Sequence, residues 1–571
     1  MASKEGDDEM SNPGEKTEKD LYTLGLDFGT LSGRAILVDI GNGSVVSEAV
    51  MDYPHAVMDS VLPCGTPIPR GWAFQHPGDY LEVLDYVVPE AVKNSGIDPA
   101  KIIGMAVDFT GCTLVTLDKE GTPLCFLPEF EAEPLSWVIH WKHHGAAPYR
   151  GEVQAALEAC DPGMLRRHGG TLSDEGMMVK ILQVVREAPD VYDAADLIME
   201  AGDWVTMKLT GDLVRSQAMA GFKAFWQEEK GYPDNDFYCR IDPRLKDYAT
   251  TKLRGELRMI GERAGGLCPE MAEKFGLLPG TPVAVAHYDG HAALLGAGIS
   301  EPGVVMLTLG TSGGFILAHE EAHAVQGTTG MTENGDLPGF YGYASGQSAV
   351  GDGFAWFVKN MLPERLLLEA EDRGITVQEL LSERAAGLKP GESGLLALDW
   401  LSGNRSVLAD SNLSCVMLGM TLQTKPEEIY RALLESVAFG TRRIRDSYER
   451  AGIAVKGIHA VGGIVKKNPL LMQIYADVLN CHISICKSTQ AAALGAAMFA
   501  AAAAGEEKGS YSTITEAIDR MSELEPYGYD PITENAAVYQ KLYEEFEQLH
   551  DYFGCGGNDV MKRLRDIQRT G

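Results

Sequence analysis

Leu24–Asp39 reads LGLDFGTLSGRAILVD and Val304–Ala318 reads VVMLTLGTSGGFILA. Each stretch sets a Gly-Thr pair and a nearby Ser between two apolar runs of strand character, so each is predicted to be a hairpin. Gly29 and Gly310 let backbone approach a ligand without a Cβ, and Thr30, Ser32, Thr311 and Ser312 add hydroxyl donors. Such turns suit phosphate, and two of them suggest a nucleotide held from two related domains. Aligning Gly29 with Gly310 sets Asp27 opposite Thr308. Only the first hairpin therefore brings a carboxylate to a phosphate-bound Mg²⁺.

The chain has 571 residues, 45% hydrophobic and 23% charged, which is too long for one core and ordinary for soluble domains. A net charge of −32 without a dense Lys/Arg cluster argues against nucleic acid and anionic lipid as partners. Ten cysteines without CxxC pairs or regular spacing fit free thiols and a cytoplasmic location. Residues 1–20 are polar, without an apolar signal-peptide core, and read as a disordered leader. Ala491–Gly505 is too short to span a bilayer and reads as a buried helix of small residues.

Strand candidates alternate with amphipathic helices through the first half: Tyr80–Asn94 is predicted helical and Lys101–Asp108 extended. Lys223–Thr251, polar and aromatic, reads as an inserted lid outside the core. A strand is expected to end at Asp289 and give way to a helix, with the domain boundary near Ser300. The second half repeats the plan with a helix over Pro426–Ala451, a strand over Gly457–Val461, a Gly-Gly turn, a helix over Asn468–Val478 and a strand over His482–Cys486. Asn535–Gln568 is helical by pattern except at Gly554–Asn558, with Tyr539, Leu542, Tyr543 and Phe546 on a buried face.

Asp27, Asp108 and Asp289 each lie where an apolar strand enters a turn, the place at which α/β folds gather ligand-facing groups. Asp289 taken alone reads first as a helix cap. Between two phosphate-type turns, it suits a base that takes the proton of a hydroxyl attacking a γ-phosphate. Gly462 and Gly463 can lay adenine against backbone or form an ordinary tight turn. Arg34 can neutralise phosphate, while Lys223 lies among Phe222, Phe225 and Trp226; a salt-bridged role fits either. His140, His143, His144, His287 and His291 lack the Cys or carboxylate cluster that would complete a metal site, and read as packing or hydrogen-bonding groups. Gly71–Tyr80 (GWAFQHPGDY) is a sugar-facing wall or a packed loop.

With those residues in view, the chain resembles the FGGY carbohydrate kinases from Tyr22 to Leu564. The first hairpin, DGHAALLGAG, GTSGG, GGIVKKN and ALGAAMFA carry the general likeness. WAFQHPGDYLEVL, SWVIHWKHH, GFKAFW, TTKLRGE, GQSAVGD, GESGLLALDW and LLMQIYADV point to the family's ribulokinase branch. The resemblance implies two actin-like (ribonuclease H-like) α/β domains, 21–299 binding sugar and 300–571 binding nucleotide and ending in a helical tail, with a cleft between them. It implies ATP-dependent phosphorylation of a ketopentose, L-ribulose first, as a step of L-arabinose catabolism. Self-association stays open.

By the same resemblance, Asp289 is the base, Lys223, Gly111 and position 344 contact sugar, and Asp27 orients Mg²⁺ through water. Gly29, Thr30, Arg34, Gly310, Thr311, Gly462, Gly463 and Asn468 meet ATP. The chain departs from the family pattern at Ala344 (glutamate), Gly111 (alanine), Leu31 (glutamate), Gly176 (tryptophan) and Ile464-Val465 (Leu-Pro). Loss of one hydrogen bond to a charged group weakens sugar binding by about 1.5–3 kcal/mol. A kinase of another ketopentose or pentitol (D-ribulose, D-xylulose, ribitol) and a catalytically weak sugar sensor therefore remain alternatives.

Overall fold

Both hairpins form, and each belongs to a seven-stranded sheet. In the computed structural model, which describes residues 20–570, Tyr22–Phe28 is buried throughout and runs antiparallel to Ser32–Asp39. The leader expected over 1–20 lies, except for Asp20, outside the described residues. The first sheet runs Val45–Asp52, Ser32–Asp39, Tyr22–Phe28, Ile102–Phe109, Pro282–Ala284, Arg263–Gly266. The second contains the series Tyr341–Gln347, Gly313–His319, Val304–Leu309, Gly457–Val461, Ile483–Cys486, Leu524–Tyr529. Along both series the successive pairings are antiparallel, antiparallel, parallel, parallel, antiparallel. One six-strand plan is thus used twice, which explains why the two hairpins look alike in sequence.

Two helices at equivalent places in the two plans, Asp289–Gly296 and Ala491–Ala504, pack against each other. Their glycines permit it: a Cβ on Gly296 would lie 2.0 Å from the Ala491 carbonyl oxygen, and one on Gly495 would lie 1.8 Å from that of Ala292. Ala491–Ala504 also lies on the first sheet, where Gly25 and Gly104 leave room for its backbone. The small-residue helix predicted from sequence therefore joins the two halves in a common apolar core. The N-terminal ends of these two helices border a space between the halves, which residues of both hairpin turns also line.

Helices occupy Pro77–Ser95, Pro426–Arg450 and Pro469–Leu479, within a few residues of their expected bounds, and a short helix, Gly463–Lys467, follows the Gly-Gly turn. Thr533–Gly554 and Val560–Thr570 form the tail, with Tyr539, Tyr543 and Phe546 buried and Leu542 half-buried against the second core. The lid reading of Lys223–Thr251 is wrong. Phe237, Tyr238, Ile241, Leu245 and Tyr248 are buried in one core with Trp137 and Leu182. The segment has the look of a surface element because most of the polar residues between its aromatic ones are exposed, while the aromatic residues turn inward. All ten cysteines are free. Among the described residues no helix is long and apolar enough to cross a membrane.

Candidate functional site

The first turn is held on both sides. Gly29 N–H donates to the Ser32 carbonyl at 3.0 Å, Gln75 Nε2 donates to the Thr30 carbonyl at 2.9 Å, and Trp141 Nε1 donates to Thr30 Oγ1 at 3.1 Å. Gln75 is fixed in turn by Tyr80, whose hydroxyl donates to Oε1 at 2.7 Å. The GWAFQHPGDY segment thus braces the hairpin, and Trp72 lines the neighbouring chamber. His143 is structural: buried, it bonds Gln183 at 2.8 Å, and burial holds its pKa down to about 4.

Strand pairing sets Asp27 beside Arg34 on one side and Asp108 on the other. Arg34 Nε lies 3.1 Å from Asp27 as an ion pair, although its N–H is not aimed as a hydrogen bond. Asp108 is fully buried and neither carboxyl oxygen has a donor. Burial, then Asp27 and Asp289, push its pKa well above the ordinary value. Burial also raises Asp27, with Arg34 opposing. Asp289 is the first residue of its helix, and Oδ1 accepts the Gly290 N–H at 2.6 Å, so it serves its own turn without capping the next one. Burial, followed by the charge of Asp27, lifts Asp289 to about 7.

Asp27, Arg34 and Asp289, with Asp108 behind them, border a cavity of about 490 Å³ between the halves, which Asp108 itself does not line. From the first half it takes Asp27, Gly29, Thr30, Arg34, Gly111, Lys223 and Asp289; from the second it takes Thr308, Ala344 and Gly462. Gly111 has room, since a Cβ there would rest 3.5 Å from the Tyr288 ring. The turn around it is fixed by the buried Lys180, which donates to the Cys112 and His140 carbonyls at 2.6 and 3.1 Å. The Ala344 carbonyl is consumed by Thr328 and Thr329, so this residue offers the cavity only a methyl group.

The second turn repeats the first: Gly310 N–H donates to the Ser312 carbonyl at 3.0 Å. The carbonyls of Gly310 and Thr311 accept from Gly351 and Val350, each at 2.9 Å. Gly462, at φ 112°, abuts Leu309, where a Cβ would lie 2.3 Å from the carbonyl oxygen. With Gly463, Lys466 and Thr489 it lines an adjoining cavity of about 280 Å³. Asn468 does not reach either space. Its Oδ1 accepts the Leu471 N–H at 3.0 Å as a helix cap and its Nδ2 faces Tyr430; Gly310 and Thr311 likewise lie outside the lining of both spaces.

Sequence reasoning missed three residues of the site. Glu175 of the first half and Arg405 of the second pair at 3.1 Å across the cleft. Against the upward push of burial, Arg405 and then Lys223 hold Glu175 below the usual carboxylate range. Both residues, with Trp141 and Lys223, separate the cavity from a wider chamber of about 780 Å³. Asp336 is the third: it brings a carboxylate to His287 and His291 that the linear spacing did not reveal. Asp336 and Arg405 lie in irregular segments without periodicity, so no local signal marks them.

Residues 22–296 match the N-terminal domain of the FGGY family of carbohydrate kinases, and residues 305–504 match its C-terminal domain. The chain is 50% identical over 549 residues to a ribulokinase of Halalkalibacterium halodurans, covering 96% of this chain and 97% of that one. It is 49% identical over 550 residues to a ribulokinase of Geobacillus thermodenitrificans, with the same coverage. Among solved structures, a xylulose kinase from Rhodospirillum rubrum superposes with a TM-score of 0.74 at 25% identity, covering 93% of this chain and 98% of that one. With both domain patterns matched in order and these identities sustained over nearly the whole length, the chain belongs to the FGGY family of carbohydrate kinases.

Proposed function

We propose that this enzyme transfers the γ-phosphoryl group of ATP to the terminal hydroxyl of a ketopentose, converting L-ribulose to L-ribulose 5-phosphate in L-arabinose catabolism in the cytoplasm. One observation carries the reading. Asp289, lifted to about 7, lies in a cavity between two Gly-Thr turns, where a base that is ionised near neutrality is needed. The ribulokinase names of relatives near 50% identity support the choice of sugar.

In this reading residues 21–299 bind sugar and residues 300–571, ending in the helical tail, bind nucleotide. Lys223 and the Gly111 backbone orient the sugar, and Asp289 accepts the proton of the attacking hydroxyl. Arg34, Thr30 and the backbone of Gly29, Gly310, Thr311, Gly462 and Gly463 meet the nucleotide. Mg²⁺ fits the donor set, because Asp108 has two buried oxygens without a donor and, of Asp27, Asp108 and Asp289, Asp27 alone is ion-paired, to Arg34. Asp27 would hold the ion through water, with Asp108 behind it; when bound, the ion supplies charge stabilisation to the transferring phosphoryl group. Nucleic acid and membrane have no part in this reading, and self-association is left open.

A second reading, in which the preferred acceptor is another ketopentose or a pentitol, is favoured by Ala344 alone, since a wall without a polar group discriminates less among analogues. ADP release from Mg-ATP, measured with L-ribulose, D-ribulose, D-xylulose, ribitol and glycerol, separates the two. The highest kcat/KM is expected with L-ribulose. A higher value with a different polyol would move the assignment to that substrate, and no release above the basal rate with any of them would end the kinase reading.

A further inference from the structure

His291 and Asp336 form a pair that phosphoryl transfer, as described, does not use. His291 lies two residues beyond Asp289 on the same helix and lines the 490 Å³ cavity. Asp336 comes from the other half, between strands Gly330–Glu333 and Tyr341–Gln347. His291 Nδ1 and Asp336 Oδ1 are 2.6 Å apart and both residues are buried. Two ligands of one tetrahedral metal ion would lie about 3.3 Å apart, so this is a hydrogen bond and not a pair of ligands on a shared ion. A carboxylate can only accept, so Nδ1 carries the proton and the lone pair is left on Nε2.

The surroundings fix that ring. Phe222 packs on it at 4.2 Å between centroids. Gly342 makes space for the carboxylate, since a Cβ there would lie 2.2 Å from Asp336 Oδ2. Nδ1 is engaged by Asp336, and Nε2 is not among the buried polar atoms left without a partner, which leaves it as the ring's free polar atom at the cavity. Ala344, lining the same cavity, presents only a methyl group. An acceptor on this wall has to come from a different residue.

We infer that His291 Nε2 accepts a hydrogen bond from a hydroxyl of the polyol substrate, and that Asp336 is the positioning residue that fixes the tautomer and aim of the ring from across the cleft. The inference rests on the reading of this cavity as a ketopentose site. It makes sugar selection a joint property of the two halves.

The test is calorimetric titration of L-ribulose, and separately of the ATP analogue AMP-PNP with Mg²⁺, into wild type, His291→Phe, His291→Gln and Asp336→Asn. His291→Phe, which keeps the packing on Phe222, is expected to weaken L-ribulose binding about ten-fold. His291→Gln, whose amide oxygen reaches toward the position of Nε2, is expected to recover most of that. Asp336→Asn should fall between them, and AMP-PNP binding should be unchanged throughout. L-ribulose binding within two-fold of wild type in His291→Phe would overturn the inference. So would an equal loss for AMP-PNP, because the pair would then hold the halves together without reading the sugar. Histidine-dependent binding without ADP release would end the kinase reading and leave this inference standing; ADP release with histidine-independent binding would do the reverse.

Discussion

The two Gly-Thr hairpins share a backbone and differ in charge. In each, the glycine N–H closes the turn onto a serine carbonyl at 3.0 Å, and in each the first strand runs antiparallel to the second and parallel to a later one. At matching positions the first hairpin has Asp27 between Arg34 and Asp108, whereas the second has Thr308 between Gly314 and Val461. The same strand pairing thus concentrates carboxylates in one half and leaves the other uncharged and open to close backbone approach. A duplicated fold supplies two phosphate-type turns, and the side chains at three register positions divide the work between them.

The most severe break in that division is at Asp289, which stands between the turns. Asp289→Asn is expected to lower kcat about 10³-fold, measured as ADP release with saturating L-ribulose and Mg-ATP, because it removes the proposed base and leaves the shape. Retention of more than a tenth of wild-type turnover would show that the proton leaves by another route. Next in size is the contrast between the hairpins themselves. Asp27→Asn should reduce kcat/KM about 10²-fold and raise the Mg²⁺ concentration needed for half-maximal rate, whereas Thr308→Val should cost less than five-fold. Equal losses in the two variants would erase the asymmetry.

A smaller effect separates two glycines of the site. Gly462→Ala forces a Cβ against the Leu309 carbonyl at a left-handed φ, and should raise the KM for ATP about ten-fold and lower the melting temperature. Gly111→Ala meets only ordinary contact with Tyr288, and its kinetic constants should stay within two-fold of wild type.

The pH behaviour gives a further handle. As the proposed base, Asp289 must be ionised to act, and with its pKa at about 7, kcat/KM should fall about ten-fold per pH unit below that value. Stability moves the other way. Between the ordinary value of 3.8 and about 7 the folded chain keeps a proton that the unfolded chain has lost, so stability falls as pH rises through that window. Asp289→Asn escapes the loss and should melt a few degrees above wild type at pH 8, with little difference at pH 4. A melting difference independent of pH would contradict the placement of Asp289 among like charges.

Much of this was legible in sequence because it is local. Hairpins announce themselves by apolar runs around Gly-Thr, and the helix Ala491–Ala504 by its small residues, although its place as the seam between halves shows only in its close approach to Gly25, Gly104 and Ala292. Asp27, Asp108 and Asp289 are legible because each lies where an apolar run gives way to a turn. Glu175, Arg405 and Asp336 are not, since each acquires meaning only from a partner in the other half of the chain, 230 residues away for Glu175 and Arg405 and 45 for His291 and Asp336. One reading fails for the converse reason: Lys223–Thr251 has the polar content of a surface segment, although its aromatic residues are packed inside. Asn468, between the helices Gly463–Lys467 and Pro469–Leu479, spends its side chain on a helix cap.

The division between the hairpins is tested most directly by Mn²⁺ binding, followed by electron paramagnetic resonance in the presence of AMP-PNP, for wild type, Asp27→Asn and Thr308→Val. Binding about ten-fold weaker in Asp27→Asn and unchanged in Thr308→Val is the predicted result. Mn²⁺ affinity that survives Asp27→Asn, or falls as far in Thr308→Val, would contradict the assignment of the metal to the first half.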